Sequence, residues 1–246
     1  MEYKHVTTKM NYEDLASGKV IESRLGMTSF PVRLGSELFQ RGLVHLQKKG
    51  VNGPYTVYDP CSGCGYLLTV IGLLHGDQVE AVYASDIREE AVLLSRQNLS
   101  LLTIEGIERR IGEIGKYVQE YGKASHKEAL EAACRIREGV VQRRNPIPAV
   151  SFQADILSEG ERASAFCPRA DLIITDVPYG QTAQWEGEGE GQDPLHRMLD
   201  QLLHLVHPSS VLVLIADKKQ KIRHEGYKRL EALKIGKRQA AILERL

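Results

Sequence analysis

The stretch Tyr58-Asp59-Pro60-Cys61-Ser62-Gly63-Cys64-Gly65-Tyr66 constrains the fold more than any other part of the chain. It follows an apolar run, carries Asp-x-x-x-Gly-x-Gly, and passes directly into the helical pattern Leu67-Leu68-Thr69-Val70-Ile71. Strand, glycine turn and helix in that order open a βα unit. The two glycines let the backbone approach a ligand closely, and the amides exposed at the helix start favour an anionic or polar group. This is a nucleotide-cofactor turn. A dinucleotide fingerprint, G-x-G-x-x-G, places its third glycine at Leu68; a large side chain there disfavours NAD or FAD.

The rest of the chain alternates strand and helix patterns. Ala81–Ser85 reads as a second strand ending in Asp86, 149–153 as a third, 171–175 as a fourth and 211–216 as a fifth, with helices over 88–102 and 194–207. Asp193 and Pro194 form an N-cap and first-turn pair. The segments 229–234 and 239–245, around Gly236, read as a terminal hairpin pairing against strand 5. Between strands 2 and 3, residues 104–144 carry two successive helical patterns; the second opens with Ser125-x-x-Glu128, a capping box. The expected fold is α/β, a doubly wound parallel sheet with a helical-hairpin insertion at about 104–144, its site at the carboxyl ends of the strands. Residues 1–53, with a helix over 36–48, are expected as an N-terminal extension that packs on the sheet edge or helps bind substrate, and 54–246 as the main domain.

With 246 residues, 42% of them hydrophobic, the chain can bury one substantial core. Its formal net charge is zero, so a nucleic-acid substrate requires a local basic patch. The run Lys218-Lys219-Gln220-Lys221-Ile222-Arg223-His224 after strand 5 is the best candidate for phosphate contact. The hairpin's Arg109, Arg110, Lys116, Arg135, Arg137, Arg143 and Arg144 are interleaved with acids, which favours a salt-bridged face over an RNA contact. Cys61 and Cys64 form a Cys-x-x-Cys, yet they lie inside the glycine turn as small residues, and Cys134 and Cys167 have no matching spacing; no metal site is expected. The N-terminus reads as no signal peptide and no apolar run reaches membrane-spanning length, so a cytoplasmic location, no membrane contact and a monomer are expected.

Asp59 before the glycines and Asp86 after the second strand resemble the S-adenosylmethionine site of class I methyltransferases. In those enzymes the glycine loop lies under the amino-acid part of the cofactor, and the strand-2 acid takes the ribose hydroxyls. The resemblance implies a seven-stranded Rossmann-like sheet. It also implies a cofactor set of Asp59, Cys61, Gly63, Gly65, Asp86, Ile87, Asp155, Ile156 and Asp176, with Asp155 at the adenine edge.

Asp176-Val177-Pro178-Tyr179-Gly180 follows strand 4 and resembles the (Asn/Asp)-Pro-Pro-(Tyr/Phe) motif of methyltransferases acting on planar nitrogen. Such a nitrogen has a delocalised lone pair, so the enzyme must fix the attack line and absorb the charge that develops. Asp176 and Tyr179 are therefore the expected catalytic pair, with Pro178 and Tyr179 on the substrate. An ionised Asp accepts without donating and matches the N1–H and N2–H edge of guanine better than an Asn does. Val177 stands where the motif has proline, which leaves the rigidity of the turn open. Trp185 either stacks on a base or packs internally; Lys219, Lys221 and Arg223 complete the substrate set. Asp-x-Pro-Tyr-Gly followed by Trp185-Glu186-Gly187, with the glycine turn and the helical hairpin, is similar to the avilamycin-resistance 23S rRNA methyltransferases over nearly the whole chain. That likeness implies methylation of a guanine base in 23S rRNA or the large ribosomal subunit. N1 and N2 both remain open, as do an exocyclic amine of another RNA, of DNA or of a protein glutamine, and a non-catalytic RNA-binding role.

Overall fold

A computed structural model describes residues 1–16, 18–24, 29–143, 145–167, 169–178, 185 and 193–246. Helix α1 (Val32–Lys48) precedes strand β1 (Tyr55–Asp59), α2 (Tyr66–His75), β2 (Val79–Asp86) and α3 (Glu89–Ser100). The inserted pair α4 (Ile104–Tyr121) and α5 (Ala124–Val141) leads to β3 (Ala149–Gln153), α6 (Gly160–Phe166), β4 (Ala170–Asp176), α7 (Pro194–Leu202), β5 (Val206–Asp217), β6 (Tyr227–Ile235) and β7 (Arg238–Arg245).

These strands form one seven-stranded sheet in the order β3-β2-β1-β4-β5-β7-β6. β1 to β5 pair in parallel, and β7 runs antiparallel between β5 and β6. The chain winds outward from β1 to β3, then restarts on the other side of β1 with β4. The crevice between β1 and β4 is thus the topological switch point, where ligands bind in open α/β sheets. Alternate strand residues feed two cores: Val57, Leu172 and Val213 pack with α1 and α2, whereas Tyr58, Ile173 and Leu212 pack with α6 and α7. Among the described residues, no helix is long and apolar enough to cross a membrane.

Three local expectations are corrected. The Ser125–Glu128 capping box does not form: two residues connect the helices, Gly122, which closes α4 in the left-handed region (φ 61°), and Lys123, and α5 begins before Ser125 with no side-chain cap. Helix α7 stops at Leu202 and not at His207, because Val206 pairs with Ala170 and joins β5. Helix α1 starts four residues earlier than Ser36, directly after Pro31. Several of the hairpin's basic residues are ion-paired, Arg135 with Asp14 (2.7 Å), Arg110 with Glu22 (2.5 Å) and Arg137 with Glu108. Arg143 donates to the Leu73 and Leu102 carbonyls, and Arg144 lies outside the described residues.

The N-terminal segment is held from inside α1. Glu37, fully buried, accepts the backbone N–H groups of Lys4 (2.8 Å), His5 (2.9 Å) and Val6 (2.8 Å) and the Arg41 Nε–H (2.7 Å). Arg41 also donates to the Glu2 carbonyl (2.7 Å) and to Glu231 of β6.

Candidate active site

Parallel pairing sets Asp59 beside Ala84, Asp86 beside Gln153 and Asp176 beside Ile215, so all three acids end their strands on one edge, with Asp59 and Asp176 flanking the switch point. Asp59 is 3% exposed and accepts the Cys61 N–H (3.0 Å). Burial first, and then the charges of Asp176 and Asp86, push its carboxyl up to about 7. Asp86 accepts Gly63 N–H at one oxygen (2.9 Å) and Arg88 N–H at the other (3.0 Å), tying the glycine turn to β2.

Each glycine of that turn is needed for its own reason. Gly65 (φ 71°) lies against α3, where an added Cβ meets Ser95 Oγ at 2.6 Å and Ser95 Cα at 3.2 Å. Gly63 (φ 52°) faces open space, a cradle for a ligand. Beside it the Ser62 hydroxyl is buried with no hydrogen-bond partner among the described residues. Burial raises the Cys61 and Cys64 thiols above their ordinary value, away from thiolate chemistry.

Asp155 follows β3, and its charge together with those of Asp59 and Asp86 acts on the Cys61 thiol, which groups these positions in space. Its carboxylate shapes its own turn, accepting from Leu157 N–H (2.9 Å) and Ser158 Oγ–H (2.8 Å). Ile156 is buried; Ile87, half-buried, offers its carbonyl to Gln153 Nε2 (2.8 Å).

On the other side of the crevice, Val177 replaces the motif's proline to a purpose: its N–H bonds to the Ile215 carbonyl (3.0 Å). Proline has no such donor. The turn gains its rigidity from β5. Pro178 is half-buried, and Tyr179 lies outside the described residues. Trp185 packs on the core cluster containing Tyr58, and its indole N–H is buried without a partner among the described residues. One residue that the sequence patterns did not single out approaches the motif: Arg238 Nη2 stands 3.8 Å from Asp176 Oδ2, and its guanidinium in turn covers the ring of Phe30 at 5.4 Å.

Lys219, Lys221 and Arg223 are exposed on the β5–β6 loop. Lys221 and Arg223 border an open groove of about 1120 Å³, shared with Asp193, His196, His224 and Arg229. Among the described residues, none of the glycine turn lines this groove. At its mouth His196, His224 and Glu225 converge. His224 Nδ1 accepts Gly226 N–H (2.9 Å), which places the ring proton on Nε2, directed at Asp200 (2.8 Å). A metal on Nε2 requires that proton on Nδ1 instead, so this cluster is built as a hydrogen-bonded one.

A sheet that switches between β1 and β4, a glycine turn pinned by the strand-2 acid, and Asp-x-Pro after β4 define a class I S-adenosylmethionine-dependent methyltransferase. The family model described as "RRNA methyltransferase AviRa" matches residues 1–238. A 23S rRNA (guanine(2535)-N(1))-methyltransferase of Streptomyces viridochromogenes is 37% identical over 242 residues, 98% of this chain and 95% of that protein. Two solved structures of the rRNA methyltransferase AviRa from that organism superpose with TM-scores of 0.87 and 0.88, each covering 99% of this chain and 96% of theirs, at 36% and 37% identity. The chain belongs to the AviRa rRNA methyltransferase family. It is an enzyme, and its cofactor is S-adenosylmethionine.

Proposed function

We propose that the protein methylates N1 of a guanine in 23S rRNA, as a cytoplasmic monomer. The carrying observation is Asp176, a carboxylate at the end of β4 beside the switch point, held there by the Val177–Ile215 bond. Neutral guanine bears a proton on N1 that must leave when a methyl group arrives. A carboxylate that accepts N1–H and N2–H aligns the base edge and takes that proton. The 37% identical relative is named for guanine N1, which favours N1 over N2.

The residues present fit the cofactor: the open face at Gly63 and the orphaned Ser62 hydroxyl form a polar cradle, and acids surround it. When bound, S-adenosylmethionine supplies an electrophilic methyl group on a sulfonium. Asp59, Cys61, Gly63 and Gly65 would hold its amino-acid part. Asp86 and Ile87 would take the ribose, and Asp155 and Ile156 the adenine. Asp176 completes the cofactor set where it meets the substrate. Tyr179 and Pro178 stack and wall the extruded base, Trp185, packed on the core, backs them from within, and Lys219, Lys221 and Arg223 meet RNA phosphates.

Incubation with isotopically labelled cofactor and unmodified 23S rRNA, followed by nucleoside mass spectrometry, tests this. 1-Methylguanosine is expected; label confined to 2-methylguanosine or to no nucleoside overturns it. Asp176→Ala is expected to lower turnover by at least roughly 100-fold with little change in cofactor affinity.

A further inference from the structure

Asp176 stands beside a like charge. Asp59 ends the neighbouring β1, and the two carboxylates repel each other; Asp86 ends β2 and Asp217 ends β5 on the same edge of the sheet. Arg238 Nη2 makes an ion-pair contact with Asp176 Oδ2 at 3.8 Å. Arg238 opens β7 and pairs in register with Asp217, whereas Asp176 pairs with Ile215 and Ile215 with Ala240. The guanidinium therefore reaches back across β5 from two residues further along the edge. Its side chain is only 26% exposed, and Asp176's is 19% exposed, so solvent screens the pair weakly. Phe30, 5% exposed, offers its ring to the guanidinium at 5.4 Å, which limits where that charge can sit.

Resting on the reading of Asp176 as proton acceptor, we propose that Arg238, steadied by Phe30, is a positioning residue that keeps the Asp176 carboxylate ionised and aimed at the guanine edge. An acceptor flanked by other carboxylates tends to hold its own proton, and a protonated Asp176 presents a donor where the base also carries one. A cation a few ångströms away reverses that preference. Arg238 touches neither the base nor the methyl group in this role; it acts through Asp176.

The test is the pH dependence of single-turnover methylation by the full-length enzyme on 23S rRNA. Arg238→Gln is expected to lower the rate at pH 7 roughly tenfold and to move the acidic limb up by about one pH unit, with cofactor affinity and melting temperature little changed. Arg238→Lys restores the limb most of the way. Phe30→Leu, which keeps the apolar contact and removes the ring face, shifts the limb in the same direction by less, and remains informative if Arg238→Gln folds poorly. An acidic limb that stays in place in both Arg238→Gln and Phe30→Leu overturns the proposal. Asp176→Asn separates the two readings. If it is inactive while the limb of Arg238→Gln stays in place, only the role of Arg238 falls; if Asp176→Asn turns over normally, the acceptor itself falls, and Arg238 with it.

Discussion

Two carboxylates that are nearly inaccessible to solvent, Glu37 on α1 and Asp59 at the end of β1, are treated in opposite ways by the fold. Burial alone acts to raise both. At Glu37, bonds from the Lys4, Val6 and His5 amides and from Arg41 outweigh that effect and hold the carboxyl below its ordinary value. At Asp59 burial outweighs the bond from the Cys61 amide, the charges of Asp176 and Asp86 add to it, and the carboxyl rises to about 7. A buried acid completed by the protein is a structural element. One left in a field of like charge is poised for a ligand that brings positive charge.

Removing the satisfied charge has the larger effect. Glu37→Gln strands the 3%-exposed Arg41 guanidinium beside an amide and sets an NH2 against backbone donors. We expect a loss of about 3–5 kcal/mol, read as a fall of roughly 10 °C in melting temperature. Because its pKa is depressed, Glu37 contributes stability that is present above the ordinary carboxylate range and lost as pH falls through the folded value. The mutant should therefore lose part of the wild-type's acid sensitivity. A melting temperature within 2 °C of wild-type, on the order of the effect of an ordinary surface change, would show that the network contributes little.

Asp59 has the opposite sign. Its folded pKa lies above the unfolded one, so the folded state holds the extra proton, and stability falls as pH rises from about 4 to about 7, then levels off. Asp59→Asn should match wild-type stability at about pH 4 and exceed it at pH 8, while binding the cofactor at least about tenfold more weakly. A cationic ligand favours the ionised form, so wild-type affinity should rise with pH toward 7, with proton release measurable by calorimetry in buffers of different ionisation enthalpy. Affinity independent of pH between 5 and 8 would contradict this account. Asp86→Ala comes next: it frees the Gly63 and Arg88 amides, and a roughly tenfold weaker cofactor affinity is expected with modest loss of stability.

The contrast also marks what local sequence can carry. The glycine turn, the acids that end β1, β2 and β4, and the terminal hairpin were legible because each depends on neighbours a few residues away and on a period of two or 3.6 residues. The AviRa likeness was legible for the same reason, since its motifs are contiguous. Glu37 was not: a charged residue in an amphipathic helix reads as exposed, and its partners are backbone amides of residues 4 to 6 folded over it. Arg238 reaches Asp176 because β7 inserts between β5 and β6, an order that no periodicity encodes, and Phe30, ahead of α1, meets it there only through tertiary packing. Helix α7 was overextended because Leu203 and Val206 continue its apolar spacing, while Val206 serves the sheet. The proline missing at Val177 became intelligible only once its amide had a partner in β5.

The smallest expected effect tests whether Glu37 is the partner that matters to Arg41. Glu231 also pairs with Arg41, and its second oxygen lies 3.4 Å from His45 Nε2, but its side chain is 24% exposed, against 0% for Glu37. Water can replace part of what Glu231 offers and cannot reach Glu37. Glu231→Gln should therefore cost less than about 1 kcal/mol, and the loss should shrink in high salt as an exposed pair's does. Raising salt should leave the Glu37→Gln deficit nearly unchanged, since that charge is never in solvent. If the two mutants instead lose equal stability and respond alike to salt, Arg41 is balanced by the pair jointly. The sharp difference between a carboxylate completed by the protein and Asp59, left for a ligand, would then rest on the backbone amides of residues 4 to 6 alone.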